Sequence, residues 1–243
     1  SSSMAHNWLK TDAFAHRGLH GPRTGFVENS LSAFKAATDL GYGFELDVLL
    51  SSDDVAVVIH DATLDRLTGQ DGKTINHTAM ELSKTILTGT NETIPMLEDV
   101  LEQTKGAKPI LIEIKGDQGS YSKIAKAVWR VIKDYTGDVA VMSFYPEIIE
   151  YFKVHHPDVT RGLVATPRDD GSLPSTYFDP TQQIKLIKTL DADFIAYDIR
   201  ALPNEVTEYC RDRDIPVLTW TVRSDQDLEK ARKNTDNIIF EQL

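Results

Sequence analysis

Apolar runs of strand length alternate with helix-like runs along nearly all 243 residues, and this rhythm limits the fold more than any other feature. "FAHRG" (14–18) leads into "NSLSAFKAATDLG", where Leu31, Phe34, Ala37 and Leu40 recur at helical spacing and Gly41 offers a stop. "FELDVLL" (44–50), "ILIEIK" (110–115), "VAVMSF" (139–144), "RGLVA" (161–165), "FIAYD" (194–198), "PVLTWTV" (216–222) and "NIIFE" (237–241) follow, with helical stretches between them. Parallel strands with helical crossovers satisfy this order, because a parallel neighbour needs a long return connection. Eight such runs with about seven helices predict an α/β fold, a (β/α)8 TIM barrel forming one domain over residues 1–243, in preference to an open sheet. "VAVVIHD" (55–61) follows "FELDVLL" across only "SSDD", too short for a helical crossover, and is expected to pair antiparallel at the barrel rim. Residues 51–95 then read as a rim hairpin and insertion, polar and rich in turns from 62 to 94.

Composition narrows the function classes. A formal charge of −11 lacks the basic footprint that nucleic acid or an anionic membrane surface requires, so the expected partner is a small molecule. Membrane-spanning helices need about 20 apolar residues, and none of the runs approaches that length. "SSSMAHNWLK" has no apolar signal core and Met4 reads as a start. Cys210 is the only cysteine, which excludes an internal disulfide and favours a cytoplasmic, reducing setting. The sequence carries no signal of oligomeric state.

In a barrel of this kind the reactive groups sit at the C-terminal strand ends. "FELDVLL" places Glu45 and Asp47 two residues apart on one strand face, and "ILIEIK" does the same with Glu113 and Lys115. Burying such groups unpaired costs several kcal/mol each, comparable with a protein's whole net stability. A structural salt bridge accounts for one pair but not for the set, since Lys115 neutralises a single carboxylate. Excess carboxylate oxygen suits one hard divalent cation, Mg2+ or Ca2+, held by Glu45, Asp47 and Glu113.

Of seven histidines, His6, His20, His77, His155 and His156 lack context and read as surface or locally hydrogen-bonded groups. His16 and His60 differ: each closes an apolar strand beside a charged residue, Arg17 or Asp61, and the two suit an acid/base pair. With Arg17 and Lys115 to hold an anionic phosphoryl group, the set fits a phosphate ester. No serine, threonine or cysteine stands in a nucleophile context, so the attacking group is water or a hydroxyl of the substrate.

"AHRG", "ENSLSAF", "GYGFELDVLLSSDDVAVVIHDATLDRLTG", "LIEIK" and "VLTWTV", in this order and strand context, resemble the glycerophosphodiester phosphodiesterase family over nearly the whole chain. The resemblance implies a TIM barrel with a small insertion after its second strand, and hydrolysis of glycerophosphodiesters to sn-glycerol 3-phosphate and an alcohol, usually with a divalent metal, in lipid and glycerol metabolism. It makes His16 and His60 the acid/base pair, Arg17 and Lys115 phosphate ligands, and Glu45, Asp47 and Glu113 metal carboxylates. Glu28 and Asn29 match the family's Glu-Asn element, Glu28 lying either near the metal or against Arg17. Trp220 matches a tryptophan that packs on the substrate's glycerol, against the plainer reading of a core aromatic.

Three departures stand out. Val27 replaces a common proline; "NIIFEQL" lacks the usual aspartate of the last strand, leaving open whether Glu241 substitutes; and the polar loop 165–183 is long enough to shape a leaving-group pocket. Rival readings are a lysophospholipase D or sphingomyelinase D-like enzyme, which would need an apolar or basic rim, and a binding protein, which has no use for two such histidines.

Overall fold

Each apolar run becomes a strand in the structure, a computed structural model that describes residues 6–241. The strands are β1 (Phe14–His16), β2 (Gly43–Leu50), β3 (Ala56–Val58), β4 (Ile110–Ile114), β5 (Val139–Ser143), β6 (Thr160–Ala165), β7 (Phe194–Asp198), β8 (Val217–Val222) and β9 (Asn237–Phe240). Eight of them pair in parallel in the order β1-β2-β4-β5-β6-β7-β8-β9, and β9 returns to β1, closing the (β/α)8 barrel. β3 pairs antiparallel with β2, Val48 opposite Val58, as the short "SSDD" link requires. The start read at Met4 lies outside the described residues.

Helices follow in the order α1 (Leu31–Asp39), α2 (Asp65–Thr68), α3 (Ala79–Ser83), α4 (Leu97–Thr104), α5 (Tyr121–Ile132), α6 (Pro146–His155), α7 (Pro180–Thr189), α8 (Glu205–Arg211) and α9 (Asp225–Asn234). All but α2 and α3 are crossovers between parallel strands. Ser30 starts α1 by accepting from the Ala33 N–H, a cap that fixes where the turn after β1 ends. Among the described residues no helix is long and apolar enough to cross a membrane.

Strand alternation sorts the side chains into two cores. On β2, Phe44, Leu46 and Val48 face the helices, where Phe44 stacks on Phe34 of α1 at 4.5 Å between ring centres. Burying each such side chain stabilises the fold by roughly 1.5–3 kcal/mol. The opposite faces fill the barrel with Phe14, Leu111, Ala140, Met142, Phe194, Ala196, Leu218 and Ile239, joined by Leu9 from a 3-10 turn (Asn7–Lys10) ahead of β1. Gly43 and Gly162 give room to the two floor rings: a Cβ would lie 2.8 Å from the Phe14 ring at one and 2.4 Å from the Phe194 ring at the other. The floor is therefore apolar and packed, and the polar inward residues are left to the other end.

The excursion after β3 is less plain a loop than its polar sequence predicts. Leu64, Leu82, Leu87 and Ile94 join Leu49, Val57 and Ile59 in a small apolar cluster of its own, with Val27 packed against it. Val27, in place of proline, thus gains an apolar contact. These residues sit in turns and very short helices, so no periodicity announces them.

Candidate active site

The barrel register builds the site. His16 of β1 lies opposite Glu45 of β2, and Asp47 of β2 lies opposite Glu113 of β4. Three adjacent strands thereby bring one imidazole and three carboxylates to one corner of the open end. The chain then turns sharply, with Arg17 and Asn29 both at positive φ (56° and 57°). That conformation costs an ordinary side chain about 1–2 kcal/mol, asparagine less, and here it aims polar groups inward. Arg17 N–H donates to Glu45 Oε1 at 3.1 Å, Asn29 Nδ2 donates to Asp47 Oδ2 at 3.1 Å, and the Arg17 guanidinium lies 3.3 Å from Asp47 and 3.0 Å from Glu28.

Glu45 and Asp47 are buried, yet their electrostatics differ. Burial pushes the Glu45 carboxyl well up, and the neighbouring charges of Asp47 and Glu113 push it further. Burial acts on Asp47 in the same sense but is outweighed by Lys115, Arg17 and the histidines, which hold it low. Lys115, 3.4 Å from Glu113, is raised despite its burial by Glu113, Asp47, Asp117 and Glu45. Glu45 Oε2 is buried with no hydrogen-bond partner among the described residues. One oxygen from each of Glu45, Asp47 and Glu113 lies within 4.8 Å of the others. An orphaned oxygen beside two further carboxylates fits a hard divalent cation, as the sequence predicts.

The two histidines have separate supports. His16 Nδ1 lies 3.0 Å from Glu241, just beyond β9, and Glu241 also takes His20 Nε2 at 2.8 Å and Arg223 Nε at 2.7 Å. Burial alone would raise the Glu241 carboxyl, but these partners hold it far below the ordinary range. Glu241, just past the last strand, therefore lies beside His16. His20 is no surface histidine: the turn after β1 folds it back onto a residue 221 positions away. At 2.8 and 3.0 Å, His16, His20 and Glu241 already satisfy one another by hydrogen bonds, unlike the three carboxylates. His60 Nδ1 lies 2.8 Å from Asp61, whose carboxyl is lowered to about 2, chiefly by hydrogen bonds from Arg66.

His16, Arg17, Glu45, Asp47, His60, Glu113, Lys115 and Trp220 all line one cavity of about 440 Å³. Trp220 donates Nε1–H to the Ala196 carbonyl at 2.9 Å and is partly buried against the barrel core, so it is both a core aromatic and a wall of the cavity. Glu28 lies against Arg17 and Arg66 and outside the group of three carboxylates. A second cavity of about 810 Å³ shares His60, Glu113, Lys115, Phe144, Arg200 and Trp220 with the first and runs beneath residues 166–178 of the long loop. His16 lines only the first. Arg66 was missed in sequence, since it lies on no strand; Arg223, just past β8 as Arg17 is just past β1, and Asp198, buried at the end of β7, meet the strand-end criterion and were missed all the same.

The sequence profile of the Glycerophosphoryl diester phosphodiesterase family matches residues 16–239. A glycerophosphodiester phosphodiesterase of Caldanaerobacter subterraneus subsp. tengcongensis is 31% identical over 95% of this chain and 94% of its own. Among solved structures, the glycerophosphodiester phosphodiesterase of Thermotoga maritima aligns with TM-score 0.76 and 27% identity over 93% of this chain and 92% of that one. An Oleispira antarctica phosphodiesterase in complex with the product sn-glycerol-3-phosphate aligns with TM-score 0.83 over 99% and 95% of the two chains; at 20% identity it attests the fold.

Proposed function

The chain belongs to the glycerophosphoryl diester phosphodiesterase family and is an enzyme of that activity, and we propose that it uses His16 and His60 as a base/acid pair beside a divalent cation. The cation, Mg2+ or Ca2+, is held by Glu45, Asp47 and Glu113, and the products are sn-glycerol 3-phosphate and an alcohol. The observation that carries this reading is the lining of one cavity: two imidazoles and two cations facing a buried carboxylate oxygen that lacks a partner among the described residues. The product bound by the Oleispira relative supports the glycerol phosphate end of the reaction.

Arg17 and Lys115 bind the phosphoryl oxygens, and Trp220 offers a ring face to the glycerol. Because ionised Glu241 only accepts, His16 carries its hydrogen on Nδ1 and takes the proton of the attacking hydroxyl at Nε2. His60, likewise fixed through Nδ1 by Asp61, gives a proton from Nε2 to the departing alcohol oxygen. Its place on both cavities supports this assignment, with the alcohol seated under the long loop. When bound, the cation supplies positive charge that offsets the phosphoryl group and eases loss of a proton from a nearby hydroxyl. The single buried Cys210 accords with a cytoplasmic, reducing setting for this chemistry. We read the described residues as one catalytic domain in which 51–95 is an insertion.

The test is product analysis with glycerophosphocholine and Mg2+ or Ca2+. Release of choline and sn-glycerol 3-phosphate is expected, and lysophospholipids should be poor substrates. Release of phosphocholine, or no turnover of any glycerophosphodiester by the folded protein, would overturn the reading.

A further inference from the structure

Arg66 borders neither cavity, yet it joins the two halves of the site. On one side its Nε donates to Asp61 Oδ2 at 2.8 Å and its Nη2 to Asp61 Oδ1 at 3.0 Å. On the other its Nη1 donates to Glu28 Oε1 at 2.8 Å and its Nη2 to Glu28 Oε2 at 3.0 Å. Asp61 in turn holds His60, and Glu28 holds Arg17. The geometry points to Arg66 as a positioning residue that aligns the proton donor and the phosphate clamp together, an inference that rests on the roles proposed for His60 and Arg17.

An isolated ion pair on a half-exposed arginine contributes little, about 0–1 kcal/mol, and needs no function. Arg66 differs in using three nitrogens for four bonds, forked onto two carboxylates that each have a second duty. Glu28 is only 9% exposed, so without Arg66 it depends on Arg17 alone and is free to draw that guanidinium off the phosphate. Asp61, freed from the fork, loses the contact that fixes the plane of its carboxylate against His60 Nδ1. The chain on either side of Arg66 is anchored: Leu64 is fully buried in the insertion's apolar cluster, Leu67 packs on the same cluster, and Gly69 at φ 70° ends α2. One short stretch of the insertion, residues 60–66, therefore delivers both His60 and the residue that steadies it. A lysine reaches one carboxylate but cannot fork onto both.

The experiment compares Arg66→Ala and Arg66→Lys with His60→Ala in the full chain with its cation. Two substrates are used, glycerophosphocholine and a glycerophospho-nitrophenyl ester whose leaving group needs no proton. Arg66→Ala is expected to lower kcat on glycerophosphocholine by about 10- to 100-fold, the usual effect of losing an outer orienting partner. Most of that kcat loss should vanish on the nitrophenyl ester, as for His60→Ala, while KM rises on both substrates because Arg17 is loosened. Arg66→Lys should stay close to Arg66→Ala. Equal losses on both esters by Arg66→Ala, with His60→Ala still showing the difference, would overturn the inference alone. If His60→Ala shows no difference either, its assignment as the acid fails and the inference falls with it. Should Arg66→Ala not fold, Asp61→Asn cuts only the His60 arm and must show the same substrate difference with KM unchanged; its absence there counts equally against Arg66.

Discussion

Two buried carboxylates, both pointing inward from barrel strands, are treated in opposite ways. Asp198 at the end of β7 accepts Thr166 Oγ1 at 2.7 Å, the Arg200 N–H at 2.9 Å and the Arg200 guanidinium at 2.7 and 2.9 Å. Burial would raise its carboxyl, but these bonds win and it stays low. Glu45 on β2 accepts one backbone N–H at 3.1 Å, leaves its second oxygen unpartnered among the described residues, and is raised by burial and by Asp47 and Glu113. Facing and burial are thus shared, and what separates the two is the unpartnered oxygen of Glu45. The β1–β2–β4 corner is poised for a positive charge from outside; the β7 end supplies its own.

The largest effects should fall on the corner. His16→Ala and His60→Ala are each expected to lose roughly 10²- to 10⁴-fold in kcat/KM, measured on glycerophosphocholine. A substrate analogue lacking the glycerol 2-hydroxyl sharpens the chemistry further. If that hydroxyl attacks first, through a cyclic 1,2-phosphate that water then opens, the analogue binds as an inhibitor and is not hydrolysed. Hydrolysis near the natural rate leaves water as the attacking group.

Glu241→Gln should be milder, about 10- to 100-fold in kcat with KM little changed, since it orients His16 without touching substrate. A loss as large as that of His16→Ala would make Glu241 a direct participant.

The same carboxylate-to-amide change then separates the two regions by sign. Asp198→Asn is expected to destabilise the fold by about 1–3 kcal/mol, because it weakens a satisfied buried network. Glu45→Gln should stabilise the cation-free protein on the order of 1 kcal/mol, since it removes a buried charge that repels Asp47 and Glu113 while its amide oxygen can still accept the Arg17 N–H. Adding Mg2+ or Ca2+ should raise the unfolding temperature of the unmodified protein and not that of Glu45→Gln. Parallel losses in both variants would erase the distinction.

The smallest effect is the pH dependence of unfolding. Asp198 is depressed in the folded state, so its contribution is complete above roughly pH 4–5, the ordinary carboxylate range, and is lost as pH falls through its folded value. Cation-free Glu45 is raised, so its contribution is present below that range and lost as pH rises through its folded value. Urea unfolding of Asp198→Asn should therefore be flatter on the acid side than that of the unmodified protein.

The barrel was legible because a period of two in strands and 3.6 in helices survives in any amphipathic element, and Glu45, Asp47 and Glu113 were legible because charge interrupts apolar strands. The strand-end rule did not extend to Arg66, on a four-residue helix whose apolar contacts follow no period. His20 and Glu241 were separable only by closure, since β9 must return to β1 before residues at the two ends of the chain can meet. Asp198 was visible and unremarked; nothing in "FIAYD" tells that Thr166 and Arg200 satisfy it, whereas the excess of carboxylates over cations around Asp47 does appear in sequence.

The most direct test of the unmet valence at Glu45, beside Asp47 and Glu113, is the turnover of glycerophosphocholine by exhaustively chelated protein, before and after Mg2+ or Ca2+ is returned. Activity should vanish on chelation and recover with the ion in the unmodified protein, and should not recover in folded Glu45→Gln. Full turnover in the chelated protein would contradict a role for any cation at this corner.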